Sequence, residues 1–298
     1  MTAQTHFSKF IQNIELDDAR VERIQAAAGR LAVYCNSNTG IRQYAPYLFF
    51  QGSYVNGTAV RPADPKGEYD VDIVVLMSLP NAGAGTVLDW FAERLREDAD
   101  YRLRVLPSKD KCVRLRYAGD FHVDVVPAHR MTNNDEPIQI PSRRHGWLSS
   151  HPRGFTAWCK GQEARTERDF SRCVKMMKRW RDITTDARTA VTSIVFTTLL
   201  GPRVPTPAYT SPDAQVVVHT LTSLNQYLDS RPLKPVVVNP SMTSEDLAAT
   251  WSQANYELFR RHVRRATERA REAYSAQGEV EAVRLWRTLF GDAFPLTV

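Results

Sequence analysis

A chain of 298 residues, 43% hydrophobic and 24% charged, can bury one large or two ordinary cores and has a soluble globular composition. No stretch approaches the roughly 20 apolar residues of a membrane span, and the N-terminal MTAQTHFSKFIQNIELDDARVERI lacks an apolar signal core, so a cytoplasmic protein without membrane segments is expected. Four scattered cysteines, Cys35, Cys112, Cys159 and Cys173, speak against a disulfide framework or structural zinc, and the net charge of +6 favours an anionic partner without identifying it.

Taken in chain order, Asp17 or Asp18 caps a helix reaching about residue 36, with Val21, Ile24, Ala28, Leu31 and Ala32 on one face. QYAPYLFFQGS is a strand that stops at Gly52, and EYDVDIVVLM is a second strand. GTVLDWFAERLREDA follows as an amphipathic helix, then YRLRVL, CVRLRY and FHVDVVPAH as three short strands. Residues 1 to about 130 therefore read as a small mixed sheet backed by helices. Residues 131–163 read as a long polar, proline-containing connection. Helices follow at ERDFSRCVKMMKRWRDI, ARTAVTSIVFTTLLG, DAQVVVHTLTSLNQYLDS, SEDLAATWSQANYELFRRHVRRATERAREAYS and EVEAVRLWRTLFG. The arginines of FRRHVRRATERAREAY alternate with glutamates at helical spacing and lack interleaved aromatics, which suits a solvated helix face better than a nucleic-acid stripe.

Two carboxylates, Asp70 and Asp72, interrupt the β-branched run of the second strand. Side chains alternate along a strand, so these two project together while Val71 and Ile73 point to the core. By the same alternation Asp124 projects outward with His122, and Val123 and Val125 inward. If the two strands are neighbours, three carboxylates share one face. A pair about 4 Å apart repels by roughly 4 kcal/mol at an effective dielectric near 20, so a compensating divalent cation is the natural expectation. Hard oxygen donors suit Mg²⁺, and two such ions roughly 3.5–4 Å apart can clamp an in-line phosphoryl displacement. Gly52 and Ser53 end the preceding strand, where a close backbone approach and a hydroxyl suit phosphate oxygens.

Strand, Gly-Ser, DxD and a third Asp within VDVV, in this order, resemble the polymerase-β-like nucleotidyltransferases, whose pattern is hG[GS] … [DE]h[DE]h … h[DE]h. GSYVNGTAVRP, YDVDIVV, HVDVVPA, VKMMKRWRD, TSIVFTTLL, NPSMTSEDLAATW and VRLWRTLFGDAFP together look like the bacterial cGAS/DncV-like nucleotidyltransferases, the CD-NTases. The resemblance runs from residue 52 to the C-terminus. It implies an α+β fold: a palm with a small mixed sheet and the N-terminal helix over residues 1–150, a helical nucleotide-binding domain over 151–298, and an active site in the cleft between them.

The resemblance also implies that Asp70, Asp72 and Asp124 hold two Mg²⁺ or Mn²⁺ ions, and that Gly52 and Ser53 meet the nucleotide. On residue chemistry alone Lys178 is a solvated lysine bordering the apolar arc of Cys173, Val174, Met176, Met177 and Trp180. The family match makes it a triphosphate contact, with Lys175 as the alternative. Ser193 reads either as a helix-interior serine bonding an i−4 carbonyl or, by resemblance, as a phosphate contact. Tyr54 either shapes the site or packs.

The implied activity is synthesis of a cyclic di- or trinucleotide second messenger from ATP and/or other NTPs in CBASS anti-phage defence. A ribose hydroxyl would attack an α-phosphate and release pyrophosphate. The product would act on a separate effector protein, accessory regulators are further implied partners, and DNA activation is not expected because no Cys/His cluster resembles a zinc ribbon. The alternatives are an RNA- or nucleotide-directed transferase with linear products, or a catalytically silent nucleotide-binding module.

Overall fold

The computed structural model describes residues 3–64, 67–107, 109–117, 121–131, 136–167, 169–206 and 212–298. It divides into two compact units: Asp17–Gly57 with Asp64–Thr156, and Met1–Leu16 with Thr58–Ala63 and Ala157–Val298. The boundary expected at 150 thus becomes a crossing between 156 and 157, and residues 1–16 and 58–63 group with the helical unit rather than the palm.

The first unit is built on a six-stranded mixed sheet. Its strands are β1 (Tyr47–Gln51), β2 (Tyr69–Met77), β3 (Val113–Tyr117), β4 (Phe121–Arg130), β5 (Ile138–Ser142) and β6 (Gly146–Ser150). β1 is antiparallel to β2, and β2 is parallel to β4. Parallel neighbours need a crossover, and the Ala84–Arg96 helix lies within it, burying Val87, Leu88, Phe91, Ala92 and Leu95. β3 pairs with β4 along Phe121–Val125, and β5 takes over at His129 and Arg130. Val71, Ile73, Leu115, Val123 and Val125 are buried, as strand alternation requires. The Asp18–Ser37 helix is capped by Asp17, whose side chain accepts from the Arg20 backbone N–H at 2.9 Å, and it buries Ile24, Ala27, Leu31 and Cys35. The four cysteines are free and buried.

Two expectations for this unit are corrected. YRLRVL is not a strand: Asp98 caps a single helical turn, Ala99–Arg102, and only Val105 bridges to Leu115. Residues 131–163 are not a continuous loop either, since they contain the β5–β6 hairpin and most of the Pro152–Arg165 helix. Ser142 Oγ accepts from the backbone N–H groups of Arg144 and His145 in the hairpin turn, and Gly146 follows with φ +72°.

The second unit is mostly helical: Gln4–Ile14, Asp169–Ile183, Ser193–Leu200, Asp213–Asp229, Gln253–Ser275 and Glu279–Phe290. The first of these carries Phe7 and Phe10, which pack against Trp286, Phe290 and Phe294 with ring centroids 4.6–6.0 Å apart. Buried Asp213 accepts from Arg172 Nη2 at 2.7 Å and Gln4 Nε2 at 2.6 Å, tying three helices through one satisfied charge. The helix expected across 187–201 is interrupted: Val191 and Thr192 are extended, so Ser193 opens a new helix instead of lying within one. The long helix expected from 244 begins at Gln253, with Ser252 as its cap, while Met242–Asp246 forms a strand beside Val238–Asn239. Among the described residues no helix is long and apolar enough to cross a membrane.

Truncating a fully buried phenylalanine costs about 3–5 kcal/mol, so Phe10→Ala is expected to lower urea-unfolding stability by that order. An unchanged midpoint would show that the Gln4–Ile14 helix is not integral to the unit.

Candidate active site: three aspartates and an arginine on one sheet face

The parallel register of β2 and β4 places Asp72 opposite Asp124 and Asp70 opposite His122. All four side chains share the sheet face opposite the core-directed valines and isoleucine, as alternation predicts. β3 brings a fifth group that lies outside the sequence motif: Arg114 lies opposite Asp124 in the antiparallel register. Its Nε donates to Asp124 Oδ1 at 2.6 Å and its Nη2 to Asp124 Oδ2 at 2.8 Å, and Nη2 also donates to Asp70 Oδ1. Lys109 Nζ adds a longer contact to Asp124 Oδ2, 3.4 Å. The cross-strand pair was readable in principle. CVRLRY and FHVDVVP form a hairpin, and its register alone sets Arg114 against Asp124.

The three carboxylates lie in different environments. Asp70 is exposed, Asp72 half-buried and Asp124 7% exposed. Burial, joined by the charges of Asp124 and Asp70, pushes the Asp72 carboxyl up to about 7 against the lowering pull of Arg114 and Lys109. Burial also opposes ionisation of Asp124, but hydrogen bonding and charge from Arg114, with Lys109, more than offset it and hold Asp124 below the usual carboxylate range. Arg114 is correspondingly raised, first by its hydrogen bond to Asp124. The neighbouring Cys112 thiol is pushed up to about 12, chiefly by burial, and stays neutral. His122, also buried, has Nδ1 3.0 Å from Glu68 Oε2.

Gly52 completes the face. Gln51 pairs with Asp72 across β1 and β2, so the next residue turns directly over that carboxylate. Gly52 has φ +73°, and a Cβ there would sit 2.3 Å from Asp72 Oδ2. Two separate constraints, backbone and space, thus require glycine. Ser53 lies half-buried in the one-turn helix Gly52–Val55 that follows. Tyr54 resolves to packing: its ring meets Phe50 at 4.8 Å and its hydroxyl accepts from Gln25 Nε2 at 2.8 Å.

The remaining expected site residues belong to the helical unit, where each has a partner. Lys178 is 4% exposed rather than solvated, and its Nζ donates to the Thr58 carbonyl at 3.0 Å and to Thr58 Oγ1 at 3.2 Å. Lys175 Nζ donates to Glu15 Oε2 at 3.0 Å. Ser193 is exposed, and its Oγ accepts from Arg181 Nη1 at 3.0 Å.

The Arg114 guanidinium places positive charge among the aspartates. Among the described residues no three His, Cys, Asp or Glu side chains are arranged as they stand to hold a metal ion. The donor chemistry nevertheless fits one. Three hard oxygen donors face the same side, and burial, with the charges of Asp124 and Asp70, keeps a proton on Asp72 to about pH 7, which added positive charge would oppose.

The described face thus joins a glycine–serine turn to aspartates on adjacent parallel strands of a mixed sheet. The domain described as Second Messenger Oligonucleotide or Dinucleotide Synthetase (SMODS) matches residues 1–163, more than half of the chain, which therefore belongs to that family, the bacterial CD-NTases. The chain is 26% identical over 316 residues to the c-di-GMP synthase of Roseivirga ehrenbergii, covering 96% of this chain and 83% of that protein. It is 23% identical over 303 residues to the cyclic AMP-AMP-AMP synthase of an Acinetobacter species, covering 99% and 86%. Its fold matches CdnG of Bradyrhizobium diazoefficiens, solved in complex with GTP, with a TM-score of 0.79 at 18% identity over 97% of this chain and 94% of that one.

Two outcomes follow from this geometry. Gly52→Ala should lose at least about 1–2 kcal/mol of stability, since it forces a side chain into left-handed backbone and onto Asp72; urea unfolding measures this. For Asp72, the unfolded chain releases its proton near pH 4 and the folded chain near pH 7. The stability contributed by the protonated form is therefore full below pH 4 and lost as pH rises to 7. In EDTA, Asp72→Asn should gain on the wild type across that window by on the order of 1–3 kcal/mol. Parallel stability profiles for the two proteins would contradict the raised Asp72 pKa.

Proposed function

We propose that the chain is a cyclic oligonucleotide synthase that uses NTPs, with Asp70, Asp72 and Asp124 as its catalytic carboxylates. The observation that carries this reading is the register that sets Asp72 opposite Asp124 beneath the Gly52 turn. Similarity along nearly the whole chain to synthases of cyclic nucleotides supports it. The two relatives are named for different products, a dinucleotide and a trinucleotide, so the proposal fixes the reaction class and leaves base choice to measurement.

In the reaction, the oxygen of a ribose hydroxyl forms a bond to the α-phosphorus of an NTP while the bond to the bridging oxygen of pyrophosphate breaks. The hydroxyl proton passes to a base, and a second such transfer closes the linear intermediate into a ring. Divalent cations, when bound, would neutralise phosphate charge and lower the pKa of the attacking hydroxyl. The aspartates would hold and orient them: Asp124 is already ionised, and Asp72 gives up its proton near neutrality. Gly52 leaves the backbone low over Asp72, and we assign the turn and the Ser53 hydroxyl to phosphate oxygens.

Lys178, with Lys175 as alternative, and Ser193 are assigned to phosphates by family resemblance, and such binding would exchange their present partners Thr58, Glu15 and Arg181. By the same resemblance the product acts on a separate effector in CBASS defence.

The purified protein with four NTPs and Mg²⁺ or Mn²⁺ should release pyrophosphate and form a phosphatase-resistant product identifiable by liquid chromatography and mass spectrometry. Asp72→Asn should reduce that output by several orders of magnitude while remaining folded by circular dichroism. A product fully trimmed by phosphatase would rule out ring closure and leave a linear transferase; unchanged output from Asp72→Asn would rule out the carboxylate assignment.

A further inference from the structure

Arg114 occupies a position that neither the motif nor the reaction scheme accounts for. Its guanidinium takes both oxygens of Asp124 and one of Asp70, so two of the three proposed metal-holding carboxylates are already engaged. Lys109 adds a second cation. Two cations against three carboxylates leave at most one net negative charge, which draws a dication weakly; withdrawing Arg114 would raise that limit to two.

The contact is built into the sheet. Val113, Leu115 and Tyr117 are buried on the core side of β3, which fixes Arg114 and Arg116 on the opposite face. Arg114 then falls opposite Asp124, and Arg116 opposite His122. The Arg114 side chain is 16% exposed and that of Asp124 11%, so the pair is little screened by solvent. Its planar fork matches a carboxylate in a way lysine cannot reproduce.

We propose that Arg114 is the resident counter-cation of the carboxylate face, displaced when a divalent cation binds, and thereby sets the metal affinity of the site. The inference rests on the reading of Asp70, Asp72 and Asp124 as metal-holding groups. It makes Arg114 a positioning residue that acts through those aspartates. A purely structural ion pair would stabilise the sheet and leave metal affinity unchanged or improved by its presence. A counter-cation must oppose the metal.

The test is titration of Mn²⁺ into metal-free, full-length protein, with free Mn²⁺ followed by electron paramagnetic resonance. Wild type is compared with Arg114→Met, Arg114→Lys, Arg116→Met and Asp124→Asn. Arg114→Met should bind Mn²⁺ about tenfold more tightly than wild type, ~1.4 kcal/mol. Arg114→Lys, which keeps the charge but not the fork, should fall between them and serves as the reading if the methionine variant does not fold. Arg116→Met should stay within about twofold of wild type, and Asp124→Asn should bind much less. Without metal, Arg114→Met should melt below the wild type, and saturating Mn²⁺ should raise its melting temperature by more than it raises that of the wild type.

If wild type binds Mn²⁺ and both Arg114 variants bind no tighter, the counter-cation proposal is overturned while the carboxylate site stands. If none of the proteins binds Mn²⁺, the metal-holding reading of the aspartates falls, and this proposal with it.

Discussion

The parallel pairing of β2 and β4 is the constraint on which the candidate site depends. Its register is held by apolar residues, not by charge: Val71, Ile73, Val123 and Val125 are all buried on one side of the sheet. A slip of one residue would turn that set outward and send the aspartates into the core, so core packing selects a single register. That register also forces Asp70, Asp72 and Asp124 to share a face. The concentration of negative charge is a by-product of well-packed valines, and the stability of the sheet maintains it.

Everything around the face answers to that concentration. Gln51 pairs with Asp72, so the chain leaving β1 must pass within contact distance of a carboxylate oxygen, and only glycine fits in both space and backbone conformation. β3 places a guanidinium against Asp124, and Lys109 reaches the same carboxylate. Compensation is uneven. Asp124 receives most of it and stays ionised, whereas Asp72, raised first by burial and then by the charges of Asp124 and Asp70, holds its proton to near neutrality. Like residues on adjacent strands thus acquire different protonation behaviour through their burial and their charged neighbours.

The elements with strong period-two or period-3.6 patterns were legible in the sequence, and so was the outward projection of the aspartates, because alternation needs no tertiary information. The failures have identifiable physical causes. YRLRVL alternates like a strand, but Asp98 accepts from the backbone N–H groups of Asp100 and Tyr101 at its start and nucleates a helical turn. The β5–β6 hairpin contains Pro141 and polar residues that resemble a loop; its strands are stabilised by pairing with each other and with β4. The Gln4–Ile14 helix earns its place through aromatic contacts with residues nearly 280 positions away, which no local pattern reveals. Lys178 was placed at the border of an apolar arc, and the structure buries it against Thr58, a partner 120 residues away in sequence.

The Arg114 pairing links folding to chemistry. A sheet must assemble before any ligand reaches it, and three carboxylates gathered without compensation would repel by several kcal/mol at the distances a sheet imposes. A cation supplied by the chain lets that face form unaided. On the proposed reading, the same cation competes with a divalent ion for those carboxylates. A lysine could neutralise the face with a single mobile charge, but a guanidinium satisfies both oxygens of Asp124 in one plane and still reaches Asp70. If the carboxylates hold metal as proposed, the arrangement favours folding over ready occupancy: the stronger the internal pair, the more stable the sheet and the weaker its hold on an incoming ion.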